Sequence, residues 1–351
     1  MKEVIIIGAG LSGLATSYQL KKRGIDSKVL ESQNRLGGRI ETIYGNAKTP
    51  MEMGATWFGT EHKNLLRLMS ELKIDYFEQH TEGIALFETM SFKPPQQYFV
   101  PANSHSAYRV KGGTYSIIEA LCKHLDIENI SLNTEIIEVI DNGDNITIID
   151  SLHNKYFCKK LIIAIPPKLL INTIRFTPTL PKEISQIMQS TQTWMSGSIK
   201  FSVEYNNAFW KNSGFSGSVF SQSGIAPEIY DHSNYNDTKF ALKGFLNGLA
   251  TQYSLDERKE KVIAQLKNYF GDNAEQFESY NDKIWNDKYI QPDNDILLPA
   301  HFNNGHTLFK ENYMNNKLFF TGTEVSSQFS GYMEGAIMAS NSIVDRISKI
   351  I

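Results

Sequence analysis

The 351-residue chain reads as an α/β protein, and three stretches carry that reading. An apolar strand, Val4 to Ile7, runs directly into Gly8-Ala-Gly10-Leu-Ser-Gly13. Val29-Leu-Glu31 then closes a second strand with an acid 18 positions after Gly13. Residues 191–286 change character, to alternating strands with one amphipathic helix. The first two stretches make a βαβ unit shaped for an adenine dinucleotide, and the third a smaller α+β lobe. The expected fold is a Rossmann-like dinucleotide-binding domain interleaved with that second domain.

Residue types and periods give the elements in order. Gly8 permits the tight turn out of the strand, Gly10 lets backbone approach a pyrophosphate, and Gly13 lets the helix pack closely on the sheet. The helix opens near Leu11, so its unpaired N–H groups and positive dipole end aim at the phosphates. Glu31 is placed to accept hydrogen bonds from the adenosine ribose hydroxyls. Leu65, Leu66, Leu68, Met69 and Leu72 recur at helical spacing and predict a helix over 64–73. A helix near 115–125, a hairpin around Asp141-Asn-Gly143-Asp and a strand at Leu161-Ile-Ile-Ala-Ile165 follow. Strands over 198–203 and 240–246 and a helix over 256–269 belong to the second lobe. The expected division is 1–77, 109–190 and 287–351 for the dinucleotide domain, with 78–108 and 191–286 for the other.

Composition narrows the partners. Net charge is -3, from 35 basic against 38 acidic residues, with no long like-charge block, which argues against nucleic acid and anionic membranes. Cys122 and Cys158 fall on a helical and a strand segment and read as buried free thiols, in keeping with a reducing compartment. No stretch reaches the roughly 18 consecutive apolar residues of a membrane span. The opening apolar run leads into a glycine turn, so it is a strand rather than a signal peptide. A soluble, cytoplasmic protein is expected, and a homodimer is left open. No Ser/His/Asp order or Cys/His cluster points to a nucleophile or a metal.

Arg35-Leu-Gly37-Gly38-Arg39, followed by Glu52-Met-Gly54-Ala55-Thr56-Trp57, resembles the flavin-containing amine oxidase family, monoamine and polyamine oxidases included, where this pair of motifs wraps an FAD. Leu318-Phe-Phe-Thr-Gly322-Thr323-Glu324, with Ser330-Gly331-Tyr332-Met333-Glu334-Gly335-Ala336, is similar to the family's closing motif. Arg109-Val-Lys-Gly112-Gly113 and Leu161 to Pro167 also resemble family segments, in the family's order. The resemblance implies FAD held by Gly8, Gly10, Gly13 and Glu31, by Arg35, Gly37, Gly38 and Arg39, and by Gly54, Ala55 and Thr56. It adds Gly322, Thr323, Glu324, Gly331, Tyr332 and Met333, with Ile136 beside the adenine and Trp285 near the flavin ring. Arg39 would offer its planar fork to phosphate. Lys200, followed by Phe209-Trp210, matches the lysine that holds a water near flavin N5 and helps reoxidation by oxygen. Tyr332 matches one wall of the aromatic cage beside the substrate amine, and Trp57 and Leu298 are expected at the substrate as well.

Two stretches depart from the family. Residues 78–108, with Pro94, Pro95 and Pro101, are only 31 positions where better-known members roof the cavity with a much longer insertion. The flavin face is therefore expected to be open, or closed by a partner subunit. Ile296-Leu297-Leu298-Pro-Ala-His301 stands where relatives carry a second cage tyrosine and a flavin-linked cysteine, which implies non-covalent FAD and a half-aliphatic cage. The implied activity is hydride transfer from an amine C–N bond to flavin N5, giving an imine, with oxygen reduced to hydrogen peroxide. An FAD-dependent desaturase or porphyrinogen-type oxidase acting on C–C bonds, and a non-catalytic flavin-binding protein, stay open as alternatives.

Overall fold

The structure, a computed structural model, describes residues 1–102, 107–286 and 298–350. Its first sheet grows from the opening strand Lys2–Ile7, which pairs parallel with Ser27–Leu30 on one side and Lys155–Ile163 on the other. Val4 and Ile6 belong to one core cluster, Ile5 and Ile7 to another. Alternate side chains of a strand point to opposite faces, so a strand covered on both faces has to be apolar throughout. That explains the unbroken run Val4-Ile-Ile-Ile. Register sets Ile7 beside Ile163, and Ile163 beside Phe320 of the late strand Leu318–Phe320. Ser27–Leu30 leads on to Ile130–Ser131, and Lys155–Ile163 leads through Ile146–Asp150 and Ile136–Asp141 to Arg175–Thr177. The expected hairpin at Gly143 joins two of these strands. Helices Leu11–Lys22, Lys63–Glu71, Tyr115–Lys123 and Met333–Ile347 share the cluster that holds Val4 and Ile6.

The second sheet runs in the order Phe277–Ile284, Ile199–Tyr205, Phe240–Leu246, Glu228–Asp231, Phe215–Ser221, Gly83–Glu88, Gln96–Val100. Ile199–Tyr205 is buried along its whole length. The helix Leu255–Phe270 packs Val262, Ile263 and Leu266 into the cluster that holds Phe201 and Val203. It begins with a reciprocal cap, Ser254 and Glu257 each accepting the other's backbone N–H, worth about 1 kcal/mol. The short stretch 78–108 contributes the antiparallel pair Gly83–Glu88 and Gln96–Val100, which extends this sheet's edge. Cys122 and Cys158 are free thiols, half-buried and buried.

Candidate active site

The first strand ends at Ile7 and the first helix starts at Leu11; between them Gly8 and Gly10 line a cavity of about 550 Å³. Leu30 and Glu31, at the end of the adjacent parallel strand, line it too, so it opens where the strands' carboxyl ends point. Gly10 caps the helix without any side-chain hydrogen bond, which leaves the first-turn N–H groups for a ligand. Gly37 and Gly38 close the same wall. Gly37 bridges Gly10, and its N–H donates to the Ala9 carbonyl (2.9 Å). A Cβ on Gly38, where φ is +55°, would sit 3.2 Å from Gly10 Cα. The two glycine motifs thus grip each other backbone to backbone. Glu31 is buried and accepts from Ala9 N (2.7 Å) and Gln33 N (2.9 Å), one on each oxygen. Since a carboxylate accepts about four bonds, it retains capacity for hydroxyl donors.

Two basic positions depart from the expected roles, and Gly13 keeps its expected packing role without touching the cavity. Gly13 lies off the cavity and seats the helix, because a Cβ there would come 1.9 Å from the Gly8 carbonyl oxygen. Arg35 also lies off the cavity: its fork turns into its own loop and donates to the carbonyls of Leu36 (3.2 Å), Gly38 (2.6 Å) and Ile40 (3.1 Å). These three bonds satisfy carbonyls that the bend exposes, and Glu41 pairs with the same guanidinium at 3.1 Å. Arg39 lines the cavity, but its fork is committed to Glu324, at 2.6 and 2.9 Å, rather than held open for phosphate. Glu324 is almost wholly buried and would be costly alone, so the pair ties the glycine loop to the closing motif.

Farther along, Gly54, Ala55, Thr56, Trp57, Ile136, Lys200 and Trp285 line the cavity together with Gly322, Thr323, Gly331, Tyr332 and Met333. Tyr332 stands at the N-terminus of Met333–Ile347, 45% exposed, its carbonyl accepting from Thr323 Oγ1 (2.9 Å). Trp285 is buried and donates to the Met53 carbonyl (2.7 Å). Lys200, on the strand Ile199–Tyr205 next to one edge of the second sheet, is 4% exposed. Its Nζ donates to the Gly54 carbonyl (2.5 Å) and lies 5.0 Å from the Phe245 ring centre. Burial pushes its pKa down to about 8, against the pull of Glu52.

Leu298 is half-buried and does not line this cavity, while Ile296 and Leu297 lie outside the described residues. The half-aliphatic cage expected from Ile296, Leu297 and Leu298 therefore falls mostly outside the described residues, and the described wall around Lys200 is aromatic. Trp57 packs edge-on against Tyr230 (5.1 Å, 65°) and lies 6.5 Å from Phe245. Glu228 lines the same region and accepts from the Tyr230 hydroxyl (2.9 Å). None of Tyr230, Phe245 and Glu228 stands out in the sequence. Strand pairing assembles them: Phe245 lies opposite Lys200 on one side and Glu228 on the other. Lys243 is a further surprise, with no exposed surface. Its Nζ donates to Thr56 Oγ1 and lies 4.7 Å over the Trp57 ring. Burial, then the neighbouring Lys200, holds it well below the usual lysine range.

Among the described residues no cluster of three His, Cys, Asp or Glu could hold a metal, and no helix is long and apolar enough to cross a membrane. The sequence profile of the flavin containing amine oxidoreductases matches residues 11–92 and 82–348. The chain belongs to this family. This amine oxidoreductase is therefore an enzyme that uses FAD, and the reading as a C–C desaturase or porphyrinogen-type oxidase is not favoured. It is 24% identical to the flavin-containing amine oxidase A of Sus scrofa over 446 aligned positions, which cover 97% of this chain and 83% of that protein. It is 22% identical to the putrescine oxidase of Kocuria rosea, over 78% of this chain and 80% of that one. The 446-position span exceeds the 351 residues here, so the Sus scrofa relative carries segments that this oxidoreductase lacks. Among solved structures, putrescine oxidase bound to putrescine matches with TM-score 0.86 at 20% identity over 99% of each chain. Cyclohexylamine oxidase from Brevibacterium oxydans matches at 0.85 and 18%, also over 99% of each. These structures share the Rossmann-like fold with its interleaved second lobe. The residues present suit FAD: an uncapped helix N-terminus, a glycine cradle that a Cβ would crowd, and a buried carboxylate at the strand end.

Proposed function

We propose that this oxidoreductase oxidises a small amine at its α-carbon, releasing an imine that hydrolyses to a carbonyl compound, with oxygen reduced to hydrogen peroxide. The observation that carries the reading is one continuous cavity, lined by the dinucleotide glycines Gly8 and Gly10 and also by Lys200, Trp57, Tyr230, Phe245 and Tyr332. Bound FAD would supply the two-electron chemistry, as hydride acceptor from the amine and donor to oxygen. The chain's own part is to bind and orient. Aromatic faces and the Glu228 carboxylate favour an amine over a flat hydrocarbon, because both attract a cationic nitrogen. Tyr332 would orient that nitrogen, and the positive end of Met333–Ile347 would favour negative charge on the cofactor. Lys200 Nζ, on the cavity wall, would hold a water and assist oxygen. FAD would be held without a covalent bond, by the lobe comprising 1–77, 109–190 and 287–351, with 78–108 and 191–286 forming the substrate lobe. The likeness to putrescine oxidase and amine oxidase A supports a small amine as substrate. The expected place of action is the cytoplasm, as a monomer or homodimer.

The test is a panel of mono- and diamines, run beside porphyrinogens and hydrophobic C–C substrates on FAD-loaded protein in air. Peroxide and carbonyl product in equal amounts with amines are expected. Peroxide with the C–C substrates alone, or with nothing, would overturn the reading.

A further inference from the structure

Lys200 and Lys243 share one face of the second sheet. Lys200 lies opposite Phe245 and Lys243 opposite Ser202, which makes the two lysines diagonal neighbours across adjacent strands. Both are buried, and their described hydrogen bonds go to neutral acceptors, the Gly54 carbonyl and the Thr56 hydroxyl. Glu52, the carboxylate that acts on both, is occupied elsewhere, accepting from Thr114 N (2.6 Å) and Thr42 Oγ1 (3.0 Å). Arg109 and His232 complete the buried group without adding negative charge, Arg109 Nη1 donating to His232 Nδ1 (2.7 Å). An amine buried in such a place, bonded among the described residues to neutral acceptors and with Glu52 engaged elsewhere, tends to keep its lone pair. Of the two lysines, Lys200 lines the cavity and Lys243 does not.

We propose that Lys200 is a carbonyl-capturing nucleophile, whose Nζ condenses with an aldehyde in the cavity to form a reversible imine. The lone pair of the neutral amine adds to the carbonyl carbon while the carbonyl π bond opens onto oxygen. The resulting carbinolamine then loses water. One amine and one aldehyde give one imine and one water, with no oxidant or reductant, and hydrolysis reverses the step. The physiological aldehyde is the product of the oxidation proposed above, so that part rests on that reading. The nucleophilicity of Lys200 does not. With its pKa near 8, about a tenth of Lys200 is neutral at pH 7, against roughly one part in three thousand for a lysine at 10.5. A captured aldehyde would occupy the aromatic end of the cavity and slow the next turnover, which makes Lys200 a brake on product accumulation.

The experiment mixes FAD-loaded protein with benzaldehyde and sodium cyanoborohydride, then maps benzylated lysines by digestion and mass spectrometry across pH. One modified lysine per chain is expected, Lys200, labelled at least tenfold faster than any other lysine at pH 7 and with a midpoint near pH 8. Labelling confined to exposed lysines, or a Lys200 midpoint near pH 10, would overturn the proposal. The site is read in the unaltered chain, so no variant has to fold. The aldehyde is supplied ready-made, so failure here is distinguishable from failure to oxidise amines.

Discussion

Gly13→Ala places a methyl group where the fold leaves no room. The added Cβ would lie 1.9 Å from the Gly8 carbonyl oxygen, about 1.5 Å short of the 3.4 Å at which ordinary contact begins, with Ala164 Cβ 3.3 Å away. The obstruction is backbone, so the first helix has to retreat from the turn that carries Gly8 and Gly10. Such a retreat draws the first-turn N–H groups away from the phosphates by far more than hydrogen-bond geometry tolerates. Losing one or two bonds to a charged group, at about 1.5–3 kcal/mol each, weakens FAD binding by about tenfold to well over a hundredfold. Overpacking removes a further ~1–3 kcal/mol from the fold. Titration of apoprotein with FAD, followed by fluorescence quenching, reads the first effect, and Tm reads the second. Gly248→Ala is the control, since a Cβ there meets nothing within 4 Å, and both readouts should stay at their original values. Unchanged FAD affinity in Gly13→Ala would refute the reasoning about this joint.

Other perturbations test other parts of the site. Arg39→Met strands the buried Glu324 carboxylate and is expected to cost about 3 kcal/mol in urea denaturation, part of which Glu324→Gln in the same chain restores; a loss under about 1 kcal/mol would show the pair to be idle. Lys200 is held near 8 in the fold against 10.5 when unfolded, so its penalty is full below pH 8 and relaxes as pH rises towards 10.5, where the unfolded chain loses its extra proton. Lys200→Met should therefore raise Tm at pH 7, by a stabilisation on the order of 3 kcal/mol, with the gain fading towards pH 10.5, the Gly54 carbonyl keeping the Thr56 hydroxyl as donor (3.1 Å). An equal gain at both pH values would deny that Lys200 titrates there. Glu228→Gln should raise KM for amines about tenfold while kcat changes less, the mark of lost cation binding; an unmoved KM would remove Glu228 from the substrate site.

What was legible in the sequence was what neighbouring residues decide. The turn at Gly8-Ala-Gly10 and the acid at Glu31 are local, and so are the amphipathic helices, whose ends fell within a few residues of those expected. The closing motif was legible for the same reason, and Gly322, Tyr332 and Met333 do line the cavity with the dinucleotide glycines. Side chains whose partners come from distant segments were not legible. Arg39 reads as a free fork until Glu324, 285 positions away, closes on it. Nothing in the sequence singles out Lys243, which is buried because the loop Gly54 to Trp57 folds over it and gives it Thr56 as acceptor. Glu228, Tyr230 and Phe245 become a wall only when three strands pair in register beside Lys200. Leu298 shows the converse, because a place in a motif does not bring a side chain to the cavity.

The most direct test of a single cavity joining nucleotide grip and amine chemistry is anaerobic titration of the FAD-loaded protein with a reactive amine and with its α,α-dideuterated form. The yellow colour should bleach in proportion to amine added, more slowly for the deuterated compound, and return on admitting oxygen. A protein that binds FAD yet stays yellow with every amine, or bleaches at equal rates with both isotopologues under single-turnover conditions, would contradict hydride removal from the α-carbon at Lys200 and Tyr332.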